Sequence, residues 1–310
     1  MGDPHAAATL VPGPSAAPAH PAPVLYSPRG AAAQASDSVV VVSWNVHVGG
    51  GDIPRLVSDL RSGALTGVRD PAAFVILLQE AHRSGAGALR AGPDDDGQGL
   101  HHAPPSGERM DVVEVAEVLG LHLVYVPAMA NGRPTPGDPE EDRGVAILSS
   151  HRLDDMQVLE LPRERQRRVA IVGTVRGTRR DGTPWSLRVA TTHLENRAPW
   201  RRVLDSFGAA RARQARALVR GLGQDPVVLG GDLNTWGPGF LEPALGMLRR
   251  HFPDTPEADA ATFSLAGIPR TLDHLLFRLP PGAAAGVEVA DERYGSDHTP
   301  VLGVVALPTG

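Results

Sequence analysis

Short runs of Val, Ile and Leu alternate along this chain with stretches of helical periodicity, and that alternation restricts the fold more than any other feature. Residues 39–44, 73–78, 122–126, 144–148, 169–175, 187–192, 227–229, 272–277 and 301–305 are runs of strand length, rich in residues that pack well on a pleated surface. Residues 53–61, 110–119 and 203–222 place apolar side chains at helical spacing. Many short strands with interleaved helices predict two packed sheets flanked by helices. A chain of 310 residues is long enough to build that around one large core.

The periodicity begins abruptly. Residues 1–37 are dominated by Ala, Pro, Ser and Gly without helix or strand pattern, so they read as a disordered tail that cannot bury enough apolar surface to order itself. The domain is expected over 38–310, with a Gly/Pro/Asp-rich insertion at 81–109 forming a mobile surface loop.

Composition excludes several chemistries. With no Cys, neither a disulfide framework, a thiolate zinc site nor a cysteine nucleophile is available, so any metal must be held by oxygen or imidazole. Every basic residue is Arg, which together with the abundance of Ala, Gly and Pro reads as composition bias rather than function. The net charge of -5 argues against a protein that coats nucleic acid, although a local basic face can still hold phosphate. No run reaches the roughly 18 apolar residues of a membrane span. The first residues lack the basic start of a signal peptide, which favours a cytoplasmic location. No protein partner is predicted.

Five segments place an acid, an amide or an imidazole where an apolar run ends: SWN (Ser43, Trp44, Asn45), LLQE ending at Glu80, TTHLE containing His193, GGDLNTW containing Asp232 and Asn234, and SDHTPV containing Asp297 and His298. At a strand end a rigid scaffold hands over to a loop, so polar groups can converge there without burying uncompensated charge. Each segment alone has an ordinary explanation. Glu80 is a solvated loop residue, Asp232 and Asn234 form an Asx turn, His193 is a satisfied structural histidine, and Asp297 caps a turn before Pro300.

The order WN, QE, THLE, GDLN, DH, SDH resembles the endonuclease/exonuclease/phosphatase superfamily, which includes pancreatic-type deoxyribonucleases, apurinic endonucleases, neutral sphingomyelinases and inositol polyphosphate phosphatases. The resemblance implies an α/β (α+β) fold, a four-layer α/β/β/α sandwich of two mostly antiparallel sheets. It also implies a phosphoester hydrolase working with Mg²⁺ or Mn²⁺ by in-line attack of an activated water. Carried over residue by residue, Glu80 becomes the principal metal ligand with Asn45 and Asp297 beside it, since a hard cation that keeps its waters needs few protein carboxylates. Asp232 and Asn234, two apart on an extended segment, point to the same side, one to align the water and the other to hold the phosphate. His298 lies against the phosphate, with Asp273 accepting from its other ring nitrogen. It serves there either as a base or as a cation.

His193, in its THL setting, resembles the deoxyribonuclease and sphingomyelinase branches and acts on the leaving-group side. Arg143 and Arg168 are the expected phosphate-gripping residues, and for the basic run 163–168 the alternative is a charged strand edge that blunts pairing. The 203–222 stretch reads as an ordinary surface helix, and Asn131 and Gly132 fall in a loop placed like a substrate-contacting one. The substrate is a phosphoester, with nucleic acid among the candidates. A phosphodiesterase or nuclease leads over a sphingomyelinase-like or inositol-phosphate-like phosphatase, because no aromatic-rich hairpin for membrane insertion is evident. A non-catalytic binding module of the same shape is the alternative of another class. A zinc site at His101 and His102 is weaker, because adjacent side chains of an extended segment point opposite ways.

Overall fold

The run SVVVVSWN is buried almost throughout, so it must lie in the middle of a sheet covered on both faces. In the computed structural model, which describes residues 21–29, 34–67, 73–90, 108–131, 139–196, 208–237, 242–257 and 260–308, it does so as the second of fourteen strands. In chain order the elements are β1 (Val24–Tyr26), β2 (Ser38–Asn45), α1 (Ile53–Ser62), β3 (Phe74–Ser84), α2 (Val112–Leu119), β4 (His122–Ala130), β5 (Glu141–Ser149), β6 (Leu153–Glu160), β7 (Val169–Thr178) and β8 (Pro184–His193). There follow α3 (Ala209–Leu222), β9 (Val227–Asp232), α4 (Pro243–His251), β10 (Phe263–Leu265), β11 (Ile268–Arg270), β12 (Asp273–Arg278), β13 (Ala284–Val289) and β14 (Val301–Ala306).

Two sheets result, ordered β1-β4-β5-β3-β2-β14-β13 and β12-β9-β8-β7-β6, with β10 and β11 forming a separate hairpin. The two-residue alternation of strand side chains assigns the layers. From β2, Val39 and Val41 enter the core between the sheets with Val75, Leu77, Ile171, Val189 and Val228. Val40, Val42 and Trp44 face the opposite way, onto Leu56 and Leu60 of α1 and Val115 of α2. On the far side, Leu218 and Leu222 of α3 and Leu248 of α4 cover Val172, Ala190 and Leu229. The molecule is therefore a four-layer α/β/β/α sandwich. All neighbouring strands within the sheets are antiparallel except β2 with β3 and β8 with β9.

Those two parallel pairs position the site. Asn45 pairs with Gln79 at the carboxyl end of one, and His193 with Asp232 at the carboxyl end of the other. Gly230 lets the sheets close there, since a Cβ on it would lie 2.7 Å from Leu77 Cδ1 and 2.9 Å from Ser43 Cβ. Across the same gap Gln79 Nε2 donates to Thr191 Oγ1 at 3.0 Å.

The structure corrects three expectations. The 1–37 tail is not uniformly without order: Val24–Tyr26 adds β1 to the sheet edge against β4, with Val24 and Tyr26 packing on the core and Leu25 turned out. Residues 1–20 and 30–33 lie outside the described residues. The expected loop at 81–109 starts later, because β3 runs on through Ser84 by pairing with Glu141–Arg143 of β5. Residues 91–107, including His101 and His102, are outside the described residues. Finally, β6, β10, β11, β13 and α4 had no counterpart in the sequence reading; β6 and β13 are half-exposed edge strands, and the hairpin strands have only three residues each.

Candidate active site

Asp232 Oδ2 is the hub of the site. It accepts from Asn45 Nδ2 at 3.0 Å and lies 3.5 Å from His193 Nε2 and 4.0 Å from His298 Nε2. These side chains arrive from β2, β9, β8 and the segment before β14, and all four are buried. On the other side of His298, its Nδ1 bonds Asp273 Oδ2 at 2.7 Å. Asp273 faces Asp232 directly in the antiparallel register of β12 with β9.

The charges follow from this packing. Burial pushes the Asp232 carboxyl up to about 7, with the neighbouring Asp273 carboxylate adding to the effect and His298 and the Asn45 amide opposing it. For His298 burial acts downward, but the carboxylates of Asp273, Asp232 and Asp297 outweigh it and raise the imidazole to about 10. His193 moves the other way: burial, then the positive charges of Arg168, His298 and Arg143, hold it well below the usual histidine range. One site thus contains a protonated and a neutral imidazole on either side of a carboxyl poised near neutrality. Asp232, Asp273 and His298 also offer ligand atoms within 4.8 Å of one another, a buried group able to hold a cation.

Glu80 sits at a bulge in β3 where the register slips between Gln79 and Ala81, and its φ is +52°. A non-glycine residue in the left-handed region is uncommon, and here it breaks the strand alternation to aim the carboxylate at the site. Glu80 Oε1 is 4.0 Å from His193 Nδ1. Asp297 lies on the opposite flank, with Oδ1 3.9 Å from His298 Nε2. That oxygen is shielded from solvent and accepts no hydrogen bond. An orphaned anionic oxygen is one that a hard divalent cation could satisfy, although Glu80 and Asp297 are not brought within 4.8 Å of a common third acidic or imidazole ligand among the described residues as Asp232, Asp273 and His298 are.

Asp232 and Asn234 depart from the extended arrangement expected of them. β9 ends at Asp232, Asn234 takes φ +51°, and its N–H donates to Asp232 Oδ1 at 2.9 Å. The Asx turn therefore forms, and it serves the site by fixing the carboxylate so that Oδ2 faces inward. The Asn234 amide is oriented at both ends, donating to the Leu194 carbonyl at 3.1 Å and accepting from Trp236 Nε1 at 3.2 Å.

Arg143 lies within β5, and Arg168 stands at the end of a loop, not on an exposed strand edge. Both are buried. Arg143 makes no side-chain hydrogen bond or ion pair among the described residues. Arg168 reaches Gln166 Oε1 at 2.7 Å and lies 3.9 Å from Glu195 Oε1, leaving its Nε without a partner. Two under-neutralised buried guanidiniums in reach of His193 form a place for an anion. Glu195 builds the loop that presents Arg168, because its Oε2 accepts from the backbone N–H groups of Arg165 and Gln166 at 3.1 and 3.0 Å.

Sequence reasoning missed several contributors. His47 Nδ1 lies 3.4 Å from Asp297 Oδ1; its place two residues after Asn45 was the available signal. Phe263 packs on the His298 ring with centroids 4.7 Å apart, and Trp236 meets Phe263 edge-on. No local pattern announces that wall. Arg211 was read onto a surface helix, yet it is buried against Glu242. Asn131 is described and donates to Glu141, whereas Gly132 lies outside the described residues.

A two-sheet sandwich with carboxylates, amides and imidazoles meeting between the carboxyl ends of its parallel strand pairs defines a class of phosphoester hydrolases. The model of the Endonuclease/Exonuclease/phosphatase family matches residues 42–298, and the chain belongs to that family. It is accordingly a hydrolase of phosphoester bonds, in a family that generally uses a divalent metal. Among solved structures, an endonuclease/exonuclease/phosphatase from Beutenbergia cavernae is similar at 20% identity and a TM-score of 0.60, over 88% of this chain and 72% of that one. The human Nocturnin catalytic domain is 16% identical with a TM-score of 0.49, over 87% and 94% of the two chains. D. rerio TDP2 complexed with single strand DNA product is 14% identical with a TM-score of 0.49, over 87% and 99%. No curated protein sequence matches. No helix among the described residues is long and apolar enough to cross a membrane.

Proposed function

We propose that the protein is a Mg²⁺- or Mn²⁺-dependent phosphodiesterase, with nucleic acid as its leading substrate class. The observation that carries this reading is Asp232 Oδ2 within 4.0 Å of Asn45, His193 and His298 at once, with two buried arginines whose charges act on His193. Asn45, Glu80 and Asp297 would hold the cation, which neutralises charge on the phosphate and lowers the pKa of water. Asp232, close to neutrality in its proton affinity, takes the proton from the attacking water. Protonated His298, kept charged by Asp273, faces the developing charge on a phosphoryl oxygen. The oriented amide of Asn234 donates its second N–H to the phosphate. His193 serves the leaving-group oxygen, and Arg143 with Arg168 holds the phosphate's remaining charge.

One observation favours a second reading, a phospholipid headgroup as substrate. The β10–β11 hairpin supplies Phe263 to the His298 wall and carries Leu265 and Ile268 at its tip, 55% and 52% exposed. An apolar tip beside the site suits an acyl-bearing leaving group. A panel of plasmid DNA, RNA, sphingomyelin vesicles and inositol phosphates, each with Mg²⁺ or Mn²⁺ and with EDTA, separates the two. Metal-dependent cleavage of nucleic acid supports the first reading, and release of headgroup alone supports the second. No hydrolysis of any member removes both and leaves a binding module, whereas hydrolysis unaffected by Asp232→Asn removes the site centred on Asp232.

A further inference from the structure

We propose that His47 is itself a ligand of the divalent cation, bound through Nδ1 beside Asp297, and that it tilts the site toward ions that accept nitrogen, Mn²⁺ above Mg²⁺. This rests on the phosphoester hydrolase reading and adds a residue and a metal preference to it.

Spacing comes first. His47 Nδ1 and Asp297 Oδ1 are 3.4 Å apart, and the carboxylate oxygen accepts no hydrogen bond although it is shielded from solvent. Two donors bound side by side on an octahedral ion, at bonds of about 2.1 Å, stand about 3.0 Å apart. The observed separation is that of neighbouring ligand atoms with a few tenths of an ångström of slack. His47 is nearly enclosed, at 14% side-chain exposure, whereas Asp297 opens to the cleft at 37%. An ion entering over Asp297 meets the imidazole next.

Backbone conformation is an independent observation. His47 and Val48 are consecutive non-glycine residues at φ +47° and +54°. A β-branched residue in the left-handed region is strained, and such strain persists where surrounding structure over-determines it. Here the His47 N–H donates to Asn45 Oδ1 at 3.0 Å, and Gly50 and Gly51 close the turn onto the His47 and Val46 carbonyls. The turn ties His47 to the amide whose other end is bonded to Asp232. Its geometric result is to set the ring against Asp297 when an ordinary strand exit would carry it away.

The donor set then decides the metal. Asn45 Oδ1 already accepts from the His47 N–H, so one of its two lone pairs is engaged. A site of Glu80 and Asp297 oxygens alone would suit Mg²⁺, while an added imidazole favours Mn²⁺ and heavier ions, which take nitrogen more readily.

The test is pulsed electron paramagnetic resonance on the full chain loaded with Mn²⁺, read for the coupling of a directly bound imidazole nitrogen. The coupling is expected in the wild type and in His193→Gln. It should vanish in His47→Gln and His47→Asn, the latter chosen because Asn tolerates positive φ. Both His47 variants should still bind Mn²⁺, with affinity reduced roughly 10- to 100-fold and the preference over Mg²⁺ diminished. Absence of nitrogen coupling in a wild type that binds Mn²⁺ and hydrolyses phosphodiester overturns the assignment of His47 alone, as does coupling that survives both substitutions. A chain that binds no Mn²⁺ and hydrolyses nothing overturns the hydrolase reading along with it.

Discussion

His298 Nδ1 and Asp273 Oδ2 are 2.7 Å apart, so one imidazole is anchored to a fully buried carboxylate while its other nitrogen looks into the site. Burial acts to discharge the ring and Asp273 is the largest influence keeping it charged, at a pKa of about 10. Asp273→Asn should therefore lower the pKa of His298 and cut kcat by roughly 10²- to 10³-fold at pH 8, with a smaller loss at pH 6 where the ring is still protonated. The linkage has the same direction. A pKa raised above the unfolded value stabilises fully below pH 6.5, and that contribution disappears as pH climbs through 10. A rate loss uniform from pH 6 to 9 would show that His298 does not act as a cation.

Asp232 sets the acid limb. With its carboxyl raised to about 7 by burial and by Asp273, and held down by the Asn45 amide among others, activity should fall as pH drops below about 7. Asn45→Ala removes a bond that favours the ionised form, so the acid limb should move to higher pH. A limb that stays in place in this variant would remove Asp232 as the base.

Arg143 and Arg168 should act on binding. Arg143→Met and Arg168→Met each remove a charge-assisted partner worth about 1.5–3 kcal/mol, a rise in KM of roughly 10- to 100-fold with a smaller change in kcat. Competition by inorganic phosphate should weaken in parallel. Equal kcat losses with unchanged KM would place these arginines in support of the fold or of the transition state only.

A stability test lies far from the chemistry. His151 is buried, its Nε2 3.0 Å from the Gln34 carbonyl and its ring 5.4 Å from that of Trp185. Burial lowers its pKa despite the Gln34 bond. A depressed pKa contributes stability above pH 6.5 that is lost as pH falls below it. His151→Gln should consequently show a shallower fall in Tm between pH 7 and pH 5 than the wild type. Parallel profiles would rule out His151 as a source of that pH dependence.

Much of this was legible in the sequence because period-two burial and strand-end chemistry are local signals. The runs that became β2, β3, β5 and β9, and the carboxyl-terminal half of β8, are buried on both faces and need continuous apolar residues, so their ends and the polar groups there could be read directly. What stayed hidden depends on tertiary context. LDDMQVLE of β6 alternates like any exposed segment, and Val24–Tyr26 forms a strand only because β4 offers an edge. The extended geometry expected of Asp232 and Asn234 failed because side-chain-to-backbone bonding overrode the strand at its last residue. His47 faces Asp297 only through a left-handed turn that no propensity announces.

Each sheet contributes one parallel strand pair, and the hub at Asp232 draws on both: Asn45 reaches across from β2, while His193 stands beside it on β8. Catalysis in this enzyme is therefore a gauge of alignment between the two halves of the sandwich. A slippage of one layer over the other by an ångström would leave every strand intact and every helix seated, yet pull the donor from its acceptor. Enlarged side chains deep between the sheets, at Gly230 above all, are where turnover and thermal resistance should part company, the first failing well before the second.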